Sequence, residues 1–381
     1  IAIAATNSKG FGVSMAVGEV PAAASAAGVS AVLARRGVLI AAAIAWVLVA
    51  IGAGLLLATS DHLVDPIAYG IQRAVIIVGW SSAALYWLVR RPGNRLGLAF
   101  VALALASVVM SLQGASDPLL HSIGVFGDFP SFVLAYFVIF AFPDGRLART
   151  PERLLLAGWA LSFFTSSFPQ LFFSPVGSGG GPIAGCNAGC PTNAFMIADR
   201  PTIADGFGSN GSYLTLALGV ATIALLSYRM ATATRPRRRA LTPVYVPAVM
   251  LTVPVLIFHG IVTQHLDLDP STISDVGWFL TVGRALIPYG FVLSIVVSTF
   301  FAATVLKKIV TRVVENPSAG ELRTTLAAAL DDPSLEIGFR LEQVGGFVDS
   351  SGESLPSAPP AGQSSTPVTR NGETVAVIMH D

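Results

Sequence analysis

Charge is scarce in this sequence. Only 12% of its 381 residues are Asp, Glu, Lys or Arg, about half the roughly 25% of a soluble domain. With 53% hydrophobic residues and a mean hydropathy of +0.69, most side chains have no water to face. The net charge is +1, which excludes the global basic field of a nucleic-acid binder. No basic stretch leads into an apolar core near the start, so residues 1–34 read as a disordered or weakly helical leader rather than a signal peptide. The run Gly179-Gly180-Gly181 lacks the strand, the helix and the Lys of a phosphate loop and reads as flexible linker. No Ser-His-Asp grouping or carboxylate pair can be placed at one depth, which disfavours a membrane-embedded enzyme. The chain opens on Ile1 and stops at Asp381 inside a strand pattern, so it reads as a piece of a longer protein.

Long apolar runs are what the sequence does have. A bilayer core of ~30 Å needs about 20 apolar residues per helix. Val38 to Thr59, Ile67 to Val89, Leu96 to Gly114 and Gly124 to Phe142 meet that length. Leu154 to Phe173 follows, with an expected break near Pro169, then Tyr213 to Tyr228, Pro243 to Gln264 and Val276 to Leu306. The expected fold is an all-α polytopic membrane bundle of about eight helices. Arg and Lys gather in alternate loops: Arg35 and Arg36, Arg90 to Arg95, Arg146 to Arg153, Arg229 to Arg239, and Lys307 to Arg312. The intervening loops hold acids such as Asp61, Asp65, Asp117, Asp128 and Asp275, with Arg200 the exception. The positive-inside rule then places both termini in the cytoplasm and makes the number of spans even. The expected location is a bacterial plasma membrane, with the bilayer as first partner and no nucleic acid.

Inside the expected spans, Arg73 and Arg284 are costly at about 2.5 kcal/mol or more each near a helix centre. With His259 at a similar depth, they suggest an outward-facing pocket for an anionic ligand. The alternative is that the arginines snorkel or pair with an outer-loop acid such as Asp275 or Asp65. Cys186 and Cys190 lie in the longest outer loop, where a disulfide, a redox switch and a metal site rank in that order. Arg237 to Arg239 and the Phe142-Pro143-Asp144-Gly145-Arg146 turn read as topogenic and structural.

Beyond Leu306 the pattern changes. Ser318 with Glu321 forms a capping box, and Leu322, Leu326 and Leu330 line one helical face before Asp331-Asp332-Pro333. Leu335, Ile337 and Phe339 then alternate at period two. Gly346 to Leu355 reads as a hairpin, and Asn371-Gly372 marks a second. Residues 313–381 are therefore expected to form a small α+β module, a sensor domain or a docking tail, after a membrane domain over 35–312.

Several short motifs fall on these loops in order. Arg90-Arg91-Pro92-Gly93-Asn94-Arg95-Leu96-Gly97 and Phe142-Pro143-Asp144-Gly145-Arg146-Leu147 come first. Cys190-Pro191-Thr192-Asn193 and Arg237-Arg238-Arg239-Ala240-Leu241 follow. The tail adds Glu321-Leu322-Arg323, Leu330-Asp331-Asp332-Pro333-Ser334-Leu335-Glu336, Thr366-Pro367-Val368 and Val375 to Asp381. Together they resemble the membrane-input region of actinobacterial-type sensor histidine kinases of the nitrate-sensor-like phosphoacceptor class. The resemblance implies a GAF-like, incomplete cytoplasmic module, a homodimer and a response-regulator partner. It also implies ATP and Mg for kinase domains that would follow this region. No cofactor or metal, and no catalytic residue, is expected in the chain itself. His380-Asp381 mimics a phosphoacceptor box but sits in a strand pattern. A transporter or channel is the competing reading, though internal repeats are absent from the sequence.

Overall fold

The computed structural model describes residues 22–91, 93–175, 189–263, 270–314, 318–330, 332–341, 346–349, 351–356, 364–370 and 373–380. The chain divides into two compact units, the first running to Ala45 and the second from Trp46 onward. The boundary falls inside the first helix, α1 (Ala22–Ala58). That helix starts well before the expected end of the leader at residue 34; residues 1–21 lie outside the described residues.

From Trp46 the second unit continues with α2 (Pro66–Arg90), α3 (Leu96–Met110), a 3-10 turn (Ser111–Gly114), α4 (Pro118–Phe126) and α5 (Asp128–Ala141). Asp117 caps α4 by accepting from the Leu119 and Leu120 amides. Then come α6 (Thr150–Phe173), α7 (Pro201–Thr232), α8 (Arg235–Thr263) and α9 (Pro270–Val314). Among the described residues, seven helical stretches are long and apolar enough to cross a membrane: Arg36–Ala58, Pro66–Arg90, Leu96–Gly114, Pro118–Ala141, Asn210–Thr232, Arg237–Gly260 and Asp275–Phe301. These stretches cover all of the about eight expected spans except Leu154 to Phe173. The one that drops out is α6, whose apolar run is diluted by Thr165, Ser166, Ser167, Pro169 and Gln170.

The geometry nevertheless lays α6 across the same layer as its neighbours. Its first turn puts Glu152 3.6 Å from Arg229 near the end of α7. Midway, Trp159 stacks on Tyr136 of α5 at 4.2 Å between ring centroids and donates to Thr222 of α7 at 3.0 Å. One turn on, Ser162 and Thr215 share a 2.7 Å hydrogen bond. Near its far end, Phe168 meets Phe126 of α4. So α6 runs antiparallel to both α5 and α7, and the helix passes through Pro169 without the expected break.

Three prolines lie inside α8, at 243, 247 and 254. A helical proline removes the hydrogen bond to the carbonyl four residues back, which frees the carbonyls of Arg239, Pro243 and Met250. Two of these are covered by glycines of α9. A Cβ at Gly290 would lie 2.2 Å from the Pro243 oxygen, and one at Gly283 would lie 2.6 Å from the Met250 oxygen. Only a bare Cα lets the two backbones come this close. Beside them Ser294 donates to the Ala240 carbonyl at 2.6 Å. The aromatic core, Trp80, Phe100, Phe142 and Phe291, packs alongside.

After α9 comes α10 (Ala319–Leu330), opened by the expected capping box: the Ser318 amide donates to Glu321 at 2.8 Å. Four antiparallel strands follow, β1 (Glu336–Leu341), β2 (Gly346–Val348), β3 (Ser364–Arg370) and β4 (Glu373–His380), in the order β2-β1-β4-β3. Arg370 and Glu373 are partners in the β3–β4 register, and the expected Asn371-Gly372 turn lies outside the described residues. Gly352, at φ +89°, sits in the other turn, where Val348 bridges Ser354. Hydrogen bonds from Ser351 and from the Glu353 amide hold the Asp349 carboxyl below its ordinary range. His380 ends β4 with its ring on the Thr366 hydroxyl, 3.0 Å away, in a strand rather than on a helix. The α+β tail is present; nothing in its geometry marks it as GAF-like.

Candidate functional site

The polar groups of the apolar bundle converge between α2, the 3-10 turn, α4, α5 and α9. Arg73 lies about two turns into α2 and is 1% exposed. A buried guanidinium must spend its donors on partners. Its Nη1 donates to Met110 Sδ at 3.1 Å, and its Nη2 donates to the Tyr69 hydroxyl one turn earlier. Its Nε has no hydrogen-bond partner, and no carboxylate among the described residues pairs with it. Tyr69 passes its proton on to Gln113 Oε1 at 2.9 Å.

Arg284 of α9 comes to the same methionine from the other side, 3.6 Å from Met110 Sδ. Its counter-ion is Asp128, the first residue of α5, at 2.5 Å. Ser131 accepts a further bond at 3.0 Å, and the guanidinium lies over the Phe132 ring at 4.6 Å. The sequence-based partners Asp275 and Asp65 are thus replaced by Asp128, whose place at the start of α5 brings it onto Arg284 of α9. A cavity of about 20 Å³, lined by Arg284, Ser107, Ser131, Trp80 and Leu251 among others, adjoins the pair. That is room for a single water molecule.

Gln113 is the hub of the arrangement. Its Nε2 donates to the Gly124 carbonyl at 3.0 Å. Its own carbonyl receives His62 Nε2 at 2.9 Å and His121 Nδ1 at 2.8 Å. The two imidazoles meet edge to face at 5.1 Å, and Ser60 lies 3.1 Å from His62 Nδ1. The hub forms because α4 lies directly on the 3-10 turn: a Cβ at Gly124 would be 2.2 Å from the Gln113 nitrogen.

Of the three residues expected to form one ligand pocket, Arg73 and Arg284 do come together. His259 does not join them: its ring is 2.8 Å from Ser212 of α7, on the other side of α8's partner set. Cys186 lies outside the described residues. Cys190 is half-buried beside the buried Pro191 and is disulfide-bonded. Sequence reasoning missed Asp128, Gln113, Tyr69, His62 and His121. The signal available was scarcity itself, since the chain has 5 histidines and two fall here.

A second polar knot closes the opposite end. Arg229 donates to the Phe140 and Phe142 carbonyls at 2.7 and 2.8 Å and faces Glu152, pinning the α5–α6 turn. Asn94 reaches that turn as well, donating to the Pro143 carbonyl at 3.2 Å.

The chain matches no known family model and no curated protein. Among the described residues no group of three or more His, Cys, Asp or Glu side chains is placed to hold a metal. What the cluster offers is a buried ion pair, a second arginine lacking a carboxylate, and a hydrogen-bonded path from one end of the bundle to its interior.

Proposed function

We propose that this chain is the membrane signal-input portion of a two-component sensor histidine kinase, in which a stimulus shifts the bundle and the shift reaches the tail. The observation that carries the reading is the course of α9. It holds Arg284 in the buried ion pair and continues as one helix to Val314, next to the tail. From Arg284 to Val314 it advances about 45 Å at 1.5 Å per residue. A rotation or slide at the ion pair is therefore delivered to α10, which packs on α9. The motif resemblance supports the same assignment, and with it a homodimer, a GAF-like tail and a response-regulator partner. The alternating Arg-rich loops support α6 as an eighth crossing, because its omission would invert every later loop. Both termini then face the cytoplasm of a bacterium.

The test is a fusion of the chain to phosphoacceptor and ATP-binding domains of that kinase class, reconstituted in nanodiscs. Arg284→Gln and Asp128→Asn should each change autophosphorylation while the fold survives. Unchanged phosphorylation in both folded variants would sink the proposal. A transporter or channel draws on the three prolines of α8, but two of the carbonyls they free are covered by α9 glycines. Solute flux into vesicles carrying the chain would restore that alternative.

A further inference from the structure

We propose that His121, packed edge to face against His62, is a proton-binding site whose occupancy controls the seating of α4 on the 3-10 turn. Proton binding itself is independent of the signal-input reading; only its use as a stimulus rests on it. The argument is one of donor and acceptor balance. The Gln113 carbonyl has two lone pairs, and each imidazole directs a ring nitrogen at it, at 2.9 and 2.8 Å. A carbonyl oxygen only accepts, so both nitrogens carry the proton. The tautomers follow: His62 Nδ1 is an acceptor and meets the Ser60 hydroxyl, whereas His121 Nε2 is an acceptor with no partner among the described residues.

His121 is 4% exposed. A proton arriving at its Nε2 creates a buried N–H without an acceptor and a cation 5.1 Å from a second imidazole. Both are unfavourable in a closed, apolar setting. The groups around it offer no relief. From the loop before α2 it faces His62, whose own Nδ1 is taken by Ser60, and from the 3-10 turn the Gln113 carbonyl. On α4 itself, Ser122 is bonded to the Pro118 carbonyl and Asp117 is committed to the helix cap. Beyond Gln113 stand Tyr69 and Arg73, then Arg284 paired with Asp128. Two arginines against one carboxylate make that side net positive. The state in which α4 lifts and Nε2 meets water takes up the proton more readily, so acid opens the site and base closes it. Because Gln113 also holds Tyr69, and Tyr69 holds Arg73, opening would loosen Arg73 next to the Met110 contact it shares with Arg284.

The experiment is hydrogen-exchange mass spectrometry on the full chain in nanodiscs at pH 5 and pH 8, normalised for intrinsic exchange. Residues 111–126 should exchange faster at pH 5, about tenfold for each unit by which the open state outbinds the closed one for the proton. His121→Asn keeps a donor at the position of Nδ1 and does not titrate, so its exchange should not depend on pH. A wild-type segment indifferent to pH, or a variant that keeps the acid response, overturns the proposal. If His121→Asn does not fold, the imidazole 15N spectrum of the wild type decides. An Nε2 of His121 that keeps its unprotonated shift at pH 5 overturns the proposal, and a shift that moves with the exchange supports it. Neither readout depends on kinase output, so a failed signalling test leaves this one standing.

Discussion

Asp128→Asn isolates the electrostatics of the site with almost no change in shape. The Arg284–Asp128 contact is 2.5 Å long, and the side chains are 15% and 8% exposed. The substitution leaves Arg284 without a counter-ion, close to the unpaired Arg73. Removing one partner of a buried ion pair costs about 3–5 kcal/mol, whereas removing both is often close to neutral. Coulomb's law gives a similar scale, ~4 kcal/mol at 4 Å with an effective dielectric constant of 20. The single variants Asp128→Asn and Arg284→Gln should each lose roughly that much, and the double variant should recover most of it. The assay is equilibrium unfolding in detergent, analysed as a double-mutant cycle with a coupling of about 2 kcal/mol or more. Single variants that cost under about 1 kcal/mol, or a double variant equal to their sum, would refute the reasoning.

The glycines of α9 make a second test. Gly290→Ala should destabilise by about 1–3 kcal/mol, since the added carbon meets the Pro243 oxygen. Gly52→Ala meets nothing and should be neutral or stabilising by up to about 1 kcal/mol through helix propensity; equal melting temperatures for the two variants would contradict the packing. Arg229→Lys should fail to replace Arg229, because a fork is needed to hold two carbonyls and face Glu152 at once. A lysine variant as stable as wild type would show that the α5–α6 turn does not depend on the fork. For Cys186 and Cys190, intact mass with and without reductant should differ by two hydrogens, and two free thiols in the untreated protein would exclude the disulfide. Cysteines placed at Arg91 and Asp117 should label from opposite faces of the membrane; labelling from one face would undo the orientation.

The sequence by itself determined the layers and their limits. Its apolar runs are long because a bilayer leaves backbone groups no partner outside a helix. The capping box at Ser318 is a local device, acting over three residues, so it was legible without any fold. The partners of the buried charges were not. Asp128 read as a loop acid and became the counter-ion of Arg284 only when α5 was laid against α9, 156 positions away. His259 shared a depth with the arginines on paper but points to α7, since depth along a span fixes height and says nothing about the face of the helix. The α8 prolines were visible as irregularities. That Gly283 and Gly290 cover the carbonyls they free required the helices to be docked. Hydropathy is a one-dimensional property and survives in the sequence; charge pairing and close backbone approach are three-dimensional, and only helix packing sets them.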